Sequence, residues 1–189
     1  KTLNILEVGI GGYEDPQSGG ESLLMWSEYF KNAKIIGADL FKKRLNLPKR
    51  VETLRLDQSK AEELDNLGKS KGLFYIIIDD GSHASSHVIL TFQTLWKYLN
   101  NHGFYIIEDT QTAYWTKLGG YDKRNDKRST TFFANLTDGL NYKEILGDYE
   151  PTMIERELEF IHFYHNIIVI KKNKQEKNSL FVKDGKLLL

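Results

Sequence analysis

The chain has 189 residues, with 26 Lys plus Arg against 26 Asp plus Glu and a formal net charge of zero at pH 7. That length suits one domain with a substantial core, and the balance of charge argues against a dedicated nucleic-acid binder, which needs a basic face to displace counterions. The absence of cysteine excludes disulfides, thiolate catalysis and thiolate metal sites, so a metal would have to sit on carboxylates, imidazoles or carbonyls.

Short apolar runs ending in Gly or an acid alternate with amphipathic stretches, the pattern of βα units around a parallel sheet. The first run, residues 3–8, is broken by Gly9, Gly11 and Gly12. Apolar residues at helical spacing predict a helix over residues 21–30. Residues 33–38 read as a second strand ending at Asp39, and residues 51–56 as a third ending at Asp57. Ser59, with Glu62 three residues on, has the form of a capping box for a helix reaching about Leu67. Residues 73–78 are the most apolar run and read as a central strand buried on both faces. A helix over residues 88–99 should stop near Asn101 and Gly103, before a strand at residues 104–107 that ends in Glu108 and Asp109.

Residues 117–128 are polar and glycine-containing and read as an exposed loop, and residues 130–140 as a helix. Residues 157–163 and 167–170 alternate well and predict an antiparallel hairpin at the sheet edge. The charge run 171–177 reads as a solvated tail, giving one domain over residues 1–172 and a charged tail over 173–189. No apolar run is long enough for a membrane span, and residues 1–12 lack a signal-peptide pattern. The expected setting is therefore the cytoplasm, without nucleic-acid or membrane partners.

Glu7-Val8-Gly9-Ile10-Gly11-Gly12 closes the first strand, where glycine lets the backbone turn sharply and a ligand approach closely. The third glycine of a G-x-G-x-x-G fingerprint is missing, because Glu14 stands there. An acid two residues before the first glycine suits a cofactor with a positive amino group better than a pyrophosphate. Asp39 has two oxygens for the vicinal hydroxyls of a ribose. Asp57 with Gln58 could meet an adenine amino group, although strand-end acids also cap helices. Together these residues point to S-adenosyl-L-methionine.

Asp79-Asp80-Gly81-Ser82-His83 and Glu108-Asp109 each follow a buried strand. If the strands are neighbours, Asp80, Glu108 and Asp109 converge on one rim and repel unless a cation or proton joins them. Hard oxygen ligands suit Mg²⁺ or Mn²⁺; the alternative is a rim satisfied by amides and arginines. His83, on a short turn beside Asp80, is suited to removing a hydroxyl proton. His87 reads as a helix-surface or supporting residue.

The segments 7–13, 79–83 and 106–115, including Thr112-Ala113-Tyr114-Trp115, resemble the metal-dependent sugar O-methyltransferases of macrolide biosynthesis. The resemblance covers roughly residues 3–172. It implies an α/β, Rossmann-like class I methyltransferase fold: a mostly parallel seven-stranded sheet with an antiparallel edge hairpin and helices on both faces. It assigns metal ligation to Asp80, Glu108 and Asp109 and general-base catalysis to His83. Cofactor contact falls to Glu7, Gly9, Gly11, Gly12, Tyr13, Ser22, Asp39, Asp57, Gln58 and Asp80, and proximity to the sugar to Tyr114 and Trp115. Those enzymes carry a further N-terminal domain that binds substrate and builds oligomers, with no counterpart in these 189 residues, so a homo-oligomer and the acceptor both stay open. A phenol or catechol acceptor, an inactive cofactor-binding module and a nicotinamide oxidoreductase are the competing readings. The incomplete glycine fingerprint disfavours the last, and His83 beside three acids disfavours the inactive module.

Overall fold

The computed structural model describes residues 3–121, 127–174 and 178–188. Seven strands form one sheet: β1 (Leu3–Val8), β2 (Ala33–Asp39), β3 (Val51–Arg55), β4 (Phe74–Asp79), β5 (Leu99–Ile107), β6 (Leu158–Tyr164) and β7 (Ile167–Lys172). Their order is β3-β2-β1-β4-β5-β7-β6. Strands β1 to β5 pair in parallel, and β7 runs antiparallel to both β5 and β6. The reversed strand is thus the penultimate one and β6 takes the edge, because the short turn after Tyr164 folds β7 back between β5 and β6. The hairpin itself is as expected.

Alternation along the strands sends side chains to two cores. Leu6, Val8, Ile77, Tyr105 and Ile107 face one layer, where α2 (Ala61–Lys71), α3 (Ser85–Leu95) and α4 (Ser129–Asn135) pack through Leu64, Phe92 and Phe133. Phe92 is fully buried and has Trp96, Tyr105, Phe132 and Phe133 within 6.0 Å, centroid to centroid. Truncating such a ring costs about 3–5 kcal/mol. Ile5, Ile35 and Ile78 face the other layer, covered by α1 (Glu21–Tyr29) through Leu23. The chain builds β1-β2-β3 outwards and then crosses back to place β4 on the other side of β1. The switch point therefore lies between β1 and β4, and the open crevice lies beyond the carboxyl ends of the strands.

Four local expectations need correction. Helix α2 starts at Ala61 without a side-chain cap. The Ser59 hydroxyl is committed to Asp57 Oδ1 at 2.6 Å, and Glu63, not Glu62, reaches back to the Asp57 N–H at 2.8 Å. Helix α3 begins at Ser85 and ends at Leu95 in a 3-10 turn, Trp96–Tyr98. Asn101 and Gly103 then lie inside β5, where pairing jumps from Phe74↔Leu99 to Ile76↔Phe104 and His102 takes φ 64°; this bulge imitates a helix stop. Beyond residues 129–135, the predicted helix loosens into a 3-10 stretch, Asp138–Glu144. Lys171 and Lys172 belong to β7, and Lys172 is 1 % exposed, its Nζ donating to the Trp96 carbonyl at 2.8 Å and pairing with Glu157 at 3.0 Å.

A short helix, α5 (Met153–Glu157), carries a complete capping box from Thr152 and Glu155 that its five residues were too few to announce. The C-terminal strands β8 (Val182–Lys183) and β9 (Lys186–Leu187) form a hairpin tied to residues 144–147 through Ser179 and Gly185. The centre of the loop 117–128 and the end of the run 171–177 lie outside the described residues.

Candidate active site

Gly9 ends β1 with φ +84°, and a Cβ there would come within 2.1 Å of the Asp80 carbonyl. The ends of β1 and β4 can touch only because no side chain intervenes. Gly12 likewise admits Ser18, whose carbonyl would lie 2.1 Å from an added Cβ, so the loop doubles back on itself. Lys43, which sequence reasoning passed over, fixes this loop: it is buried, with Nζ donating to the Tyr13 and Asp15 carbonyls at 2.6 and 3.1 Å. A lone lysine in a charged stretch gives no signal of that task. Gly11 has φ +71° with only the Gly19 backbone, at 3.9 Å, near an added Cβ, and Tyr13 is exposed at φ 43°.

Glu7 is buried on the α1 face. Ser22 Oγ donates to one of its oxygens, and Trp26 Nε1 to the other at 2.7 Å. Burial pushes its carboxyl above the usual range, the two donors partly offset this, and the charge of Glu108 adds to the push. Asp39 accepts from the Ile10 N–H at 3.1 Å and the Phe41 N–H at 2.9 Å, which links β2 to the glycine loop. Asp57 lies at the end of β3 and is occupied by Ser59, which holds its carboxyl below the usual range.

Gln58 points inward. Its Nε2 donates to Asp79 Oδ1 at 2.6 Å, and its Oε1 accepts from the Ser82 N–H at 2.8 Å. Asp79 is fully buried and its carboxyl is pushed up to about 7, first by desolvation and, among the smaller effects, by the charge on Asp80. Asp79 Oδ2 and the Tyr105 hydroxyl are both buried near one another; no well-formed hydrogen bond reaches either, but the phenol acts on the Asp79 carboxyl as a nearby donor. The Gln58 amide therefore braces the turn carrying Asp80 and His83. The signal was an acid ending the most apolar run, which requires a donor from elsewhere.

Among the described residues, Asp80, His83 and Asp109 offer ligand atoms all within 4.8 Å of one another. Glu108 stands outside that group, although its charge acts on Asp80. Desolvation pushes Asp80 up to about 7, followed by the charges of Glu108, Asp109 and Glu7. Glu108 is raised by burial and then by Asp109. His83 is lowered by burial, with Asp109 opposing, and its Nε2 lies 3.7 Å from Asp109 Oδ2.

His83 and Asp109 both have positive φ, at 57° and 50°, conformations that cost energy for residues with a Cβ. The Thr112 hydroxyl reaches both backbones, the Asp109 carbonyl at 2.7 Å and the His83 carbonyl at 3.2 Å. A threonine three residues after a strand-end acid is the available sequence sign of this turn. His87 Nδ1 braces Ser82 Oγ at 2.8 Å. Tyr114 and Trp115 are each about half exposed, and the Arg128 guanidinium lies 4.5 Å from the Tyr114 ring centroid.

A carboxylate cluster that desolvation and mutual repulsion hold partly protonated is the donor set a hard cation relieves, so these residues fit a divalent metal.

The strand order, the glycine turn at the switch point and the strand-end acids define a Rossmann-like class I methyltransferase fold. No family model matches the chain. It is 37 % identical over 176 residues to the 8-demethyl-8-alpha-L-rhamnosyl tetracenomycin-C 2'-O-methyltransferase of Streptomyces olivaceus, covering 91 % of this chain and 46 % of that protein. It is 34 % identical over 182 residues to the mycinamicin VI 2''-O-methyltransferase of Micromonospora griseorubida, covering 94 % and 46 %. The solved MycE methyltransferase from the mycinamycin biosynthetic pathway, in complex with Mg and SAH, superposes with a TM-score of 0.91 at 34 % identity, covering 95 % of this chain and 48 % of that one. The chain thus resembles sugar O-methyltransferases of antibiotic tailoring, as its motifs implied, and spans about half the length of the curated relatives it matches.

Proposed function

We propose that the chain carries the catalytic site of an S-adenosylmethionine- and divalent-metal-dependent O-methyltransferase acting on a sugar hydroxyl of a glycosylated small molecule. The observation that carries this reading is the meeting of Asp80, His83 and Asp109 within 4.8 Å, at the rim where Glu7 and Asp39 also end their strands. The matched proteins support it by their names, which specify O-methyl transfer to a rhamnosyl tetracenomycin-C and to mycinamicin VI. A charged sulfonium does not cross membranes unaided, so we place the reaction in the cytoplasm. No helix of the described residues is long and apolar enough to cross a membrane.

In this reading Glu7, Ser22, Asp39, Asp57 and the glycine turn of Gly9, Gly11, Gly12 and Tyr13 orient the cofactor. Asp80, Glu108 and Asp109 would hold Mg²⁺ or Mn²⁺. Bound there, such an ion would lower the pKa of a nearby hydroxyl and hold it in line for attack. His83 takes the hydroxyl proton on Nε2, its neutral form favoured by burial. The acceptor oxygen bonds to the methyl carbon as the carbon–sulfur bond breaks, leaving adenosylhomocysteine. Methyl-labelled adenosylmethionine incubated with a panel of rhamnosides and Mg²⁺ tests this: label should enter the glycosides and EDTA should abolish transfer. A wild-type protein that binds no adenosylhomocysteine in calorimetry sinks the reading.

A further inference from the structure

The sheet has two edges, and the chain finishes them differently. At β3 the strand is short, follows Pro48 and carries Glu52 and Arg55. Glu52 pairs with Lys71 at 2.7 Å and Lys34 at 3.8 Å, and Arg55 with Glu63 at 3.0 Å. Charges and proline are ordinary means of keeping a sheet edge from recruiting another strand. Strand β6, at the opposite edge, carries one formal charge, Glu159, which sits in the bulge between Leu158 and Phe160. Lys171 of β7 holds that carboxylate at 3.3 Å, so it is neutralised from within the sheet.

The rest of β6, Phe160-Ile161-His162-Phe163-Tyr164, pairs regularly with β7 from Phe160↔Lys171 to Tyr164↔Ile167. Its outer side has no neighbouring strand among the described residues. Alternation sends Phe160, His162 and Tyr164 to one face of the sheet and Ile161 and Phe163 to the other. On the first face Phe160 stacks on His162 at 4.1 Å between ring centroids, and His162 meets Tyr164 edge-on at 6.2 Å. His162 is exposed, and Phe163 and Tyr164 are 46 % and 61 % exposed. An exposed edge that is regular, aromatic and without an outward-acting charge is a template for strand addition.

We infer that β6 is the contact surface of a symmetric dimer, in which the β6 strands of two copies pair antiparallel about a two-fold axis at His162. The segment is complementary to itself in that register. Phe160 of each copy lies opposite Tyr164 of the other, Ile161 opposite Phe163, and the two His162 rings meet at the axis. Aromatic and branched side chains then face each other on both sides of the sheet, and no formal charge opposes its like. Moving the axis to Ile161 draws the bulge at Glu159 into the ladder, and moving it to Phe163 leaves Phe160 without a partner. Because the strands run antiparallel, the two carboxyl rims point in opposite directions and both crevices stay open. Pairing through β6 stands whether or not the rim transfers methyl groups. Five residues a side make a small interface, so the Kd should be about 10–100 µM.

Sedimentation velocity over about 2–200 µM should show the chain passing into a species of twice its mass. His162→Lys sets two like charges against each other at the axis and should weaken self-association about tenfold or more. The side chain is exposed, so the fold should survive, and an unchanged urea midpoint checks it. The chain has no cysteine, so His162→Cys supplies its only thiol. At the axis that thiol faces its own copy at the Cα separation of paired strands, within disulfide reach. Mild oxidation should convert most of this variant to covalent dimer and little of Glu62→Cys, whose site is exposed on α2. A wild type that stays monomeric throughout, a dimer undiminished in His162→Lys, or equal cross-linking from residues 62 and 162 overturns the pairing.

Discussion

Replacing Gln58 with methionine keeps the side chain's length and deletes both hydrogen bonds that it makes beneath the site. Asp79 Oδ1 loses a donor at 2.6 Å and the Ser82 N–H loses an acceptor at 2.8 Å. A buried partner left unsatisfied costs about 1–3 kcal/mol. The Gly81 N–H at 3.4 Å still reaches Asp79, so the combined loss of folding stability should be about 2–4 kcal/mol. The loss should also depend on pH. Asp79 titrates near 7 when folded, above its ordinary value of 3.8. The folded state therefore holds this proton more tightly, and stability falls as pH rises from about 4 to about 7. Without Gln58 the carboxylate loses a stabilising donor, its affinity for the proton rises further, and the fall continues to higher pH. Urea unfolding of the chelator-treated protein at about pH 5.5 and about pH 8 should show a larger deficit at the higher pH. A deficit that is small and flat across that range refutes the brace. If adenosylhomocysteine affinity falls instead while stability holds, the amide serves the adenine, as the sequence alone suggested.

Asp39→Ala should weaken adenosylhomocysteine binding by about 1–3 kcal/mol in calorimetry, and an unchanged affinity removes Asp39 from the ribose role. Asp80→Asn should weaken Mn²⁺ binding, followed by electron paramagnetic resonance, by about tenfold or more, since a ligand charge is lost; unchanged binding would leave the acids a structural role. His83→Ala should lower kcat about a hundred- to ten-thousandfold while cofactor affinity holds, and near-native turnover at neutral pH would shift the base elsewhere. The active form is the deprotonated imidazole, so the wild-type rate should rise with pH through the His83 pKa, below the usual histidine value because of burial, and level above it. The alanine variant should lose that limb and recover in part as solution hydroxide supplies the alkoxide.

What the sequence revealed was whatever is encoded locally. Each strand of the parallel sheet is a short apolar run stopped by Gly or an acid, so Glu7, Asp39, Asp80 and Asp109 could be placed at strand ends without knowing the strand order. The hairpin over β6 and β7 announced itself by alternation. Errors arose where a distant partner decides. Asn101 and Gly103 read as a helix stop because the bulge opposite Phe74 and Ile76 is visible only once β4 and β5 are paired. Lys172 read as solvated because nothing near it in sequence foretells Glu157 or the Trp96 carbonyl. Gln58 could be placed beside the cofactor crevice by position, but the direction of its amide depends on Asp79, 21 residues away. The close approach of His83 to Asp80 and Asp109 likewise depends on the pairing of β4 with β5, and Glu108 joins the cluster through its charge on Asp80.

The meeting of His83 and Asp109 has a physical source in the two strained turns. An extended residue after β4 or β5 would send its side chain above or below the sheet, not across the rim to the neighbouring turn. Positive φ at His83 and at Asp109 turns each chain sharply at the rim instead. The imidazole and the carboxylate then face each other at 3.7 Å. Such strain persists only where the surroundings over-determine it, and here one hydroxyl, Thr112 Oγ1, bonds to both backbones. Gln58 holds the opposite side of the His83 turn through the Ser82 N–H. Two polar side chains that touch no reacting atom thus fix the separation of the groups that do, and so lower the cost of organising the site when a cation and acceptor arrive. Acids desolvated to the point of retaining protons near neutrality are destabilising in the folded chain by itself. Their concentration at the switch point between β1 and β4 is intelligible as binding energy held ready for a positive charge.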